Sequence, residues 1–369
     1  MSYETDKKFI RETLKLARKG KGKVQPNPLV GSIIVKNGEI IGKGYHACFG
    51  KEHAEVAALR NAGENARDAT LYVNLEPCCH HGKTPPCTDA IIRAGIKRVV
   101  VGMVDPNPLV NMQGIETLRR AGIEVTYGVE QQACENLNRV FVKYIQRKLP
   151  YVTLKIAQTL DGRIATSTGH SQWITSEPAR KLAHKLRAIN DAIIVGIGTV
   201  LADDPQLTVR MARGKNPIRI VIDSRLRMPL NCKILNDSQT HQTIVATISE
   251  ETPKIEAIKS TGAHVWQFQP DTDGKVPLGA LLKKIAQAHM SSVLIEGGAE
   301  LATSFLKLQL VDHIFVALAP KILGQGKEAI GDLNIASVDE SLQLTNWKLK
   351  KLGPDIIVEG DILYPDNGE

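Results

Sequence analysis

Two short stretches of this sequence constrain its fold more than any other feature. The first is His53-Ala54-Glu55, and the second runs from Pro77-Cys78 to Pro86-Cys87. One imidazole and two thiolates supply three of the four positions around a tetrahedral zinc ion. They leave the fourth for water, as a catalytic zinc site requires. The fold must therefore bring His53, Cys78 and Cys87 to one point, with Glu55 beside them.

Glu55 lies near the start of a predicted helix at 52–62, where its carboxylate can act as a proton shuttle to zinc-bound water without ligating the metal. H-x-E followed by P-C and a second cysteine is the signature of zinc nucleobase deaminases, in which the glutamate is general acid and base. Here eight residues, rather than two, separate Cys78 from Cys87. We expect this longer loop, which contains Lys83, to recognise the substrate.

Two other interpretations of the motif are weaker. A chance pattern would have to match the ligand types, their order and the neighbouring glutamate at once. A closed structural zinc site could take its fourth ligand from Cys79, His80 or His81, but such a site has no need of Glu55. The motif therefore favours a catalytic metal.

The composition is that of an ordinary globular protein, with 369 residues, 43% of them hydrophobic and 23% charged. This length suggests two or three domains. The six irregularly spaced cysteines favour reduced thiols and a cytoplasmic location. No signal peptide opens the chain, and no apolar run approaches the ~18 residues of a membrane span. We therefore expect a cytoplasmic protein without membrane association.

The net charge of +8 and the many lysines and arginines of the first two dozen residues would suit nucleic acid. The alternative is the solvated face of an amphipathic helix. Phe9, Ile10 and Leu14 give this stretch an apolar side, and no aromatic residues are interleaved with the charges. We prefer the helix face and expect no nucleic-acid partner, because a basic balance equally suits small phosphorylated ligands.

Predicted helices and strands alternate along the chain, which indicates α/β sheets covered on both faces. A hairpin with an Asn37-Gly38 turn comes first. Strands at 70–75, 97–102 and 123–127 then alternate with helices at 52–62, 88–94, 114–121 and 131–146. Because Pro150 follows a long helix, we place a first domain at 1–149 and a second at 150–369.

The second domain has predicted strands at 151–157, 191–196, 218–223, 243–247, 264–268, 292–296 and 312–318, helices at 177–189, 252–261, 278–289 and 299–308, and two final strands within 342–363. Glycines follow the strands at Gly196-Ile197-Gly198 and at Gly297-Gly298, where phosphate can approach the N–H groups of a helix start. Neither is a G-x-G-x-x-G fingerprint. Each alone is more often a tight turn, but the two together favour a cofactor.

Further motifs are Pro26-Asn27-Pro28-Leu29-Val30-Gly31, Thr159-Leu160-Asp161-Gly162-Arg163 and Ser171-Gln172-Trp173-Ile174-Thr175. With these and the zinc motifs, nearly the whole chain resembles the bifunctional deaminase/reductase family of bacterial riboflavin biosynthesis. The resemblance implies an N-terminal cytidine-deaminase-like α/β/α domain and a C-terminal dihydrofolate-reductase-like α/β domain.

The resemblance implies a first reaction, the zinc-dependent removal of the 2-amino group from 2,5-diamino-6-ribosylamino-4(3H)-pyrimidinone 5′-phosphate. His53, Cys78 and Cys87 would hold the zinc ion, and Glu55 would be the proton shuttle. The substrate-holding residues would be Asn27, His46, Lys83 and Asn107.

A second reaction is implied in which NADPH reduces the ribosyl chain to a ribityl chain. By motif match the cofactor-facing residues would be Ala157, Trp173, Thr199, Asp203, Ser224 and a loop from Gly298 to Ser304 (Gly298, Ala299, Glu300, Leu301, Ala302, Thr303 and Ser304). The substrate-facing residues would be Ser171, Arg187, Leu207, Arg210 and Glu296. Ser224-Arg225 would hold the 2′-phosphate of NADPH. We also expect a homo-oligomer.

One segment departs from the family pattern. A small residue, a glycine and a cation are expected after Val110, but Asn111-Met112-Gln113 stands there. Two competing functions stay open: a cytidine or tRNA-adenosine deaminase with an unrelated partner domain, and a nucleic-acid-binding protein with a structural zinc.

Overall fold

The computed structural model describes residues 2–80, 85–108 and 110–365. The chain forms two compact units, one ending at Leu149 and the other beginning at Pro150. Of the described helices, none has the length and apolar character needed to cross a membrane.

The first unit is built on a five-stranded sheet of order β2-β1-β3-β4-β5. Its strands are β1 (Gly31–Lys36), β2 (Glu39–Tyr45), β3 (Thr70–Leu75), β4 (Arg98–Met103) and β5 (Glu124–Tyr127). β1 is antiparallel to β2 and β3, whereas β3, β4 and β5 are parallel. The predicted Asn37-Gly38 turn joins β1 to β2, and both residues have the positive φ, 53° and 84°, that a tight hairpin turn requires.

Helices cover both faces of this sheet, as the alternation predicted. They are α1 (Tyr3–Ala17), α2 (Ala54–Ala62), α3 (Cys87–Arg93), α4 (Gln113–Arg120) and α5 (Gln131–Arg147). One core cluster joins Phe9 of α1 and Phe141 of α5 to Val100 of β4. The other joins Ala58 of α2 and Leu118 of α4 to residues on the opposite face of the sheet. The apolar side predicted for the basic first helix is thus buried.

The second unit contains a nine-stranded sheet of order β11-β10-β9-β8-β12-β6-β13-β16-β15. Its strands are β6 (Tyr151–Thr159), β8 (Ala192–Gly196), β9 (Ile218–Ile222), β10 (Thr243–Thr247), β11 (His264–Gln267), β12 (Ser292–Glu296), β13 (His313–Ala319), β15 (Gln343–Leu352) and β16 (Asp355–Leu363). Neighbours from β11 to β13 run parallel, and β16 and β15 add an antiparallel edge. The helices are α6 (Glu177–Ile189), α7 (Ile197–Asp203), α8 (Thr252–Ser260), α9 (Leu278–Gln287) and α10 (Ala299–Lys307).

Two strands and one α-helix of this unit were not predicted. β7 (Arg163–Thr166) and β14 (Gly326–Glu328) pair with each other across a long stretch of chain, and α7 contains Gly198, which disfavours a helix. The segment from Gly298 to Ser304, predicted as a loop by resemblance, is instead the N-cap and first turns of α10. The helix predicted at 299–308 was therefore the better description.

Candidate functional site

His53, Cys78 and Cys87 meet at one edge of the first sheet. His53 is the N-cap of α2, Cys78 lies in the segment that follows β3, and Cys87 is the first residue of α3. His53 Nδ1 lies 3.2 Å from Cys87 Sγ and 3.5 Å from Cys78 Sγ. The three ligand atoms all lie within 4.8 Å of one another, and within the described parts of the chain no other such group of metal donors occurs.

This donor set fits zinc. Bonds of about 2.0 Å to nitrogen and about 2.3 Å to sulfur place tetrahedral ligands roughly 3.5 to 3.8 Å apart, close to the distances found here. Two cysteines and one histidine, with a fourth position left open, are a known ligand set of catalytic zinc.

The protons of the cluster are distributed unequally between the two thiols. Hydrogen bonds from Cys87 and His53 lower the pKa of Cys78 to about 4, although burial opposes this. The bond to Cys78 and burial raise the pKa of Cys87. The Cys87 backbone N–H also donates to Cys78 Sγ at 3.4 Å. Cysteine binds a metal as thiolate, so a cation that binds here must displace the proton that the pair of thiols retains.

Glu55 lies in the first turn of α2 and is 4% exposed. Burial, together with repulsion from the Cys78 thiolate, raises the pKa of Glu55 to about 7. A carboxyl group with a pKa near neutral can both accept and release a proton at physiological pH. The helix holds this group beside the three ligands, where a proton shuttle is needed.

Glu76, which the sequence reasoning missed, anchors the segment that carries Cys78. Its buried carboxylate accepts four backbone N–H groups, from Asp105 at 3.1 Å, Met112 at 3.0 Å, Gly114 at 2.9 Å and Ile115 at 3.2 Å. Gly114 and Ile115 belong to the first turn of α4, so Glu76 acts as the cap of that helix from another element. An acidic residue directly after an apolar strand was the available signal.

The unusual segment Asn111-Met112-Gln113 leads into α4. Met112 has a φ of 70°, in the left-handed region that favours glycine, and it stands where the family pattern has one. The backbone thus keeps the glycine-type turn although the side chain is large. Met112 packs against the core cluster of its unit, and its N–H donates to Glu76.

Asn27 and His46, two of the predicted substrate-binding residues, are in contact. Asn27 Nδ2 lies 3.2 Å from His46 Nε2, and His46 Nδ1 lies 3.0 Å from the Glu52 carbonyl oxygen. Because a carbonyl oxygen only accepts, Nδ1 carries the hydrogen and Nε2 accepts from Asn27. Burial lowers the pKa of His46, which favours this neutral form. The His46 ring packs edge to face on His53, with centroids 5.6 Å apart, so the pair adjoins the metal cluster.

Asn107 and Lys83 are the other two predicted substrate-binding residues of this site. Asn107 lies beyond β4, where its backbone N–H donates to Asp105 Oδ1 at 2.8 Å. Burial and repulsion from Glu76 raise the pKa of Asp105 to about 7. Lys83 lies outside the described residues.

In the second unit, four adjacent parallel strands present the predicted cofactor residues at one edge. In the order β9, β8, β12 and β6, Ser224 follows the first strand, Thr199 lies in the helix after the second, Gly298 caps the helix after the third, and Ala157 lies late in the fourth. The carboxyl ends of parallel strands are where open α/β sheets bind their ligands.

A charge cluster lies at the same edge. Glu296, the last residue of β12, accepts two hydrogen bonds from Arg187, at 2.7 and 3.0 Å, and lies 3.6 Å from Lys155. Burial alone would raise the pKa of Glu296, but attraction to Arg187 and Lys155 outweighs it and lowers the pKa to about 2. Burial and repulsion from Arg187 lower the pKa of Arg210. Arg187 and Lys155 outnumber the single carboxylate, and Arg210 lies close enough to Arg187 to be repelled by it. This edge therefore has an excess of positive charge, which suits a phosphate group.

Both halves of the chain match known family models. Residues 3–103 match the cytidine and deoxycytidylate deaminase zinc-binding region, and residues 150–358, more than half of the chain, match the RibD C-terminal domain. The chain belongs to the RibD family. The resemblance stated from the motifs is thereby confirmed.

Individual RibD proteins are similar over nearly their whole length. The riboflavin biosynthesis protein RibD of Aquifex aeolicus (strain VF5) is 49% identical over 359 residues, which cover 97% of this chain and 99% of the relative. RibD of Escherichia coli (strain K12) is 40% identical, covering 95% and 98%. The solved structure of Acinetobacter baumannii RibD, form 1, has a TM-score of 0.88 at 38% identity, covering 98% of this chain and all of that one.

RibD membership confirms the predicted fold class, with a cytidine-deaminase-like first half and a RibD reductase second half. The protein is a bifunctional enzyme of riboflavin biosynthesis that joins a zinc-binding deaminase domain to a reductase domain of the NADPH-using type.

Among the other predicted reductase residues, some side chains are exposed, some are buried and some already have hydrogen-bond or ion-pair partners. Trp173 is 61% exposed and stacks with Arg180, and Ser171 Oγ donates to Asp203 Oδ1 at 3.4 Å. Leu207 and Ala302 are buried, so only their backbones could face a ligand. Several side chains of α10 already have partners: Glu300 pairs with Lys275, Thr303 donates to the Ala299 carbonyl, and Ser304 donates to the Glu300 carbonyl.

Two further residues of this edge escaped the sequence reasoning, Lys155 and His184. His184 Nδ1 accepts the backbone N–H of Arg210 at 3.1 Å, and Arg187 Nη1 donates to the Thr208 carbonyl at 3.2 Å. Both bonds hold the segment with Arg210 against α6. Burial and repulsion from Arg187 and Arg210 lower the pKa of His184 to about 4. The spacing of three between His184 and Arg187 on one helix was the signal.

Proposed function

We propose that this chain deaminates 2,5-diamino-6-ribosylamino-4(3H)-pyrimidinone 5′-phosphate at its first site and reduces the ribosyl chain of the product with NADPH at its second. The deaminase domain comprises residues 1–149 and the reductase domain residues 150–369. The observation that carries the first half is the convergence of His53, Cys78 and Cys87 beside the buried Glu55. A Thermotoga maritima relative, 36% identical with a TM-score of 0.84, is described as a diaminohydroxyphosphoribosylaminopyrimidine deaminase and 5-amino-6-(5-phosphoribosylamino)uracil reductase.

In the deaminase site, His53, Cys78 and Cys87 would hold a zinc ion, which would supply a water that ionises near neutral pH. Glu55, with a pKa of about 7, would take a proton from the attacking water and pass it to the ring nitrogen as the C2–O bond forms. It would then pass the proton of the new hydroxyl to the amine, so that the C2–N bond breaks and ammonia leaves. Asn27, His46, Lys83 and Asn107 orient the pyrimidine.

In the reductase site, bound NADPH would supply a hydride to C1′ of the ribosyl chain, and the ring oxygen released from C1′ would take a proton from water. The backbone N–H groups at the start of α10, after Gly298, suit a phosphate of the cofactor. Ala157, Trp173, Thr199, Asp203 and Ser224 border the same cofactor, and the exposed Arg225 is available to its 2′-phosphate. Arg187 and Arg210 hold the 5′-phosphate of the substrate, and Ser171, Leu207 and Glu296 lie around the ribosyl chain.

The proposal is tested by incubating the zinc-loaded protein with the diaminopyrimidinone ribotide, with and without NADPH. Ammonia should be released in both cases, and NADPH should be oxidised only as deaminated product forms. NADH should react more slowly than NADPH. Absence of ammonia release from protein with full zinc occupancy would contradict the proposal.

We also propose that the protein is a homo-oligomer that uses one face of β15. This edge strand is almost entirely exposed, and Trp347 and Leu349 point to one side of it, each more than 60% exposed. A second copy offers the same apolar surface, as symmetric dimers require. Sedimentation should show dissociation of Trp347→Lys, whereas Val338→Lys, exposed outside the strand, should keep the wild-type mass. A wild-type monomer would refute this proposal.

A further inference from the structure

The turn from Pro26 to Gly31 is held by a buried amide on α5. Asn138 Oδ1 accepts the Leu29 backbone N–H at 2.8 Å, and Asn138 Nδ2 donates to the Leu29 carbonyl at 3.1 Å. Asn138 is 2% exposed and shares the buried face of α5 with Cys134 and Phe141. An amide in an otherwise apolar stripe is costly to bury unless its hydrogen bonds are made, and here they are made to this turn.

A second buried amide, on the sheet, forms hydrogen bonds to the same turn. Asn74 lies in β3 and has no exposed surface. Its Nδ2 donates to the Leu29 carbonyl at 2.9 Å, and its Oδ1 accepts the Gly31 backbone N–H at 2.7 Å. Two side chains from different elements therefore fix both backbone polar groups of Leu29.

The turn held by Asn74 and Asn138 carries Asn27, a residue of the proposed deaminase site. Asn27 lies two residues before Leu29, between two prolines that restrict the backbone. The Asn27 amide donates to His46. The His46 backbone N–H donates to the carbonyl of Val30, the residue after Leu29, at 2.9 Å. His46 in turn donates to the carbonyl of Glu52, next to the ligand His53. Hydrogen bonds and the short backbone segments between them thus connect Asn138 to the edge of the metal cluster.

We propose that Asn138 and Asn74 are positioning residues for deamination, which fix the Leu29 backbone so that Asn27 meets both His46 and the pyrimidine. This inference rests on the proposed function through the role of Asn27. Displacement of a binding group by about 1 Å can reduce the rate by as much as about a hundredfold, so residues that do not touch the substrate can matter.

The test combines Asn138→Leu, which has similar size but no hydrogen-bonding groups, with Asn27→Ala in a double-mutant cycle. Asn138→Leu should lower kcat/KM for ammonia release about tenfold, mainly through KM, with full zinc content and unchanged reduction of deaminated substrate. Because Asn138 acts through Asn27, the double variant should match Asn27→Ala within about twofold instead of showing the product of both losses. Asn136→Leu, at an exposed position on the same helix, is the matched control and should behave as wild type.

The possible failures are distinguishable. Multiplying losses in the double variant, or an Asn138→Leu protein that is less stable but kinetically normal, would overturn the positioning role and leave the proposed function intact. Absence of an effect in Asn27→Ala would overturn the role of Asn27 and the inference with it. A wild-type protein that released no ammonia would remove the proposed function itself, and the inference would fall with it. If Asn138→Leu does not fold, Asn138→Ala leaves room for a bridging water and is judged by the same cycle.

Discussion

The two sites of this chain are built in opposite ways. In the first, the metal donors and Glu55 lie within 35 consecutive positions, 53 to 87, and backbone hydrogen bonds to Glu76 hold the segment with Cys78. In the second, the residues extend from Lys155 to Ser304 and converge only because four strands are neighbours in the sheet. A metal site is specified by ligand chemistry, whereas a cofactor edge is specified by topology.

The two sites also treat charge differently. In the first, burial raises the pKa of Glu55 to about 7, so a carboxyl group can exchange protons near neutral pH. In the second, Arg187 and Lys155 overcome the effect of burial and lower the pKa of Glu296 to about 2. The first site is suited to proton transfer and the second to holding a charged ligand between fixed charges.

The largest expected effect is the loss of deamination at the first site while its zinc content stays unchanged. Glu55→Gln keeps the size of the side chain but removes the proton acceptor, so the rate of ammonia release should fall by about a thousandfold. Zinc content and reduction of deaminated substrate should stay at wild-type values. Glu64→Gln, at an exposed position after α2, is the control and should retain full activity. Loss of reduction in folded, zinc-loaded Glu55→Gln would mean that the two reactions share one site.

The next largest effect is expected from removing one partner of the Arg187–Glu296 ion pair in the second site. Arg187→Met leaves Glu296 buried with only Lys155 near it, and the free energy of unfolding of this unit should fall by about 3 kcal/mol. All three tryptophans, Trp173, Trp266 and Trp347, lie after residue 150, so tryptophan fluorescence in urea reports on this unit alone.

The double variant Arg187→Met/Glu296→Met separates stability from function. Removing both charges should restore more than half of the lost stability, because no uncompensated carboxylate remains. Reduction should stay impaired in both variants, and ammonia release should be normal in both. A double variant as unstable as Arg187→Met would show that the charge of Glu296 is not the cause.

This contrast explains how much could be predicted from the sequence. The clustering of His53, Cys78 and Cys87 and nearly all α-helices and strands follow from local patterns, and the predicted bounds agree with the structure within about two residues. Glu76, Asn138 and His184 do not, because each acts by a hydrogen bond to the backbone of a segment distant in sequence. Such bonds depend on which elements become neighbours. The local signals, an acidic residue after β3 and a spacing of three on α6, do not show which distant segment each residue would hold.

Other differences between the prediction and the structure also arise because the sequence shows only local patterns. α7 was missed because it begins directly after the glycine that ends β8 and contains Gly198, which disfavours a helix. The β7–β14 pair was missed because its two short strands are far apart in the sequence and pair with each other. For the reductase residues, the motifs could indicate an edge of the sheet but not which side chains are turned inward, as the buried Leu207 shows.

The smallest expected effect tests whether the neutral form of His184 contributes to the stability of the second unit. His184 is buried and accepts a backbone N–H through Nδ1, so it must be neutral in the folded unit. Burial, and repulsion from Arg187 and Arg210, lower its pKa to about 4, whereas a histidine of the unfolded chain is protonated near about pH 6.5.

The unfolded state therefore takes up a proton before the folded state does, and the stability contributed by neutral His184 is complete above about pH 6.5 and lost as the pH falls towards 4. We expect a loss on the order of 2 kcal/mol over this range. Urea unfolding followed by tryptophan fluorescence at pH 7.0, 5.5 and 4.5, roughly spanning the two pKa values, measures it. His184→Gln removes the titrating group and should lose less stability over the same range, while the exposed His264→Gln should follow wild type. Carboxylates titrate in all three proteins, so the difference between their pH profiles isolates His184. Parallel profiles for wild type and His184→Gln would show that the histidine is not held neutral in the folded unit.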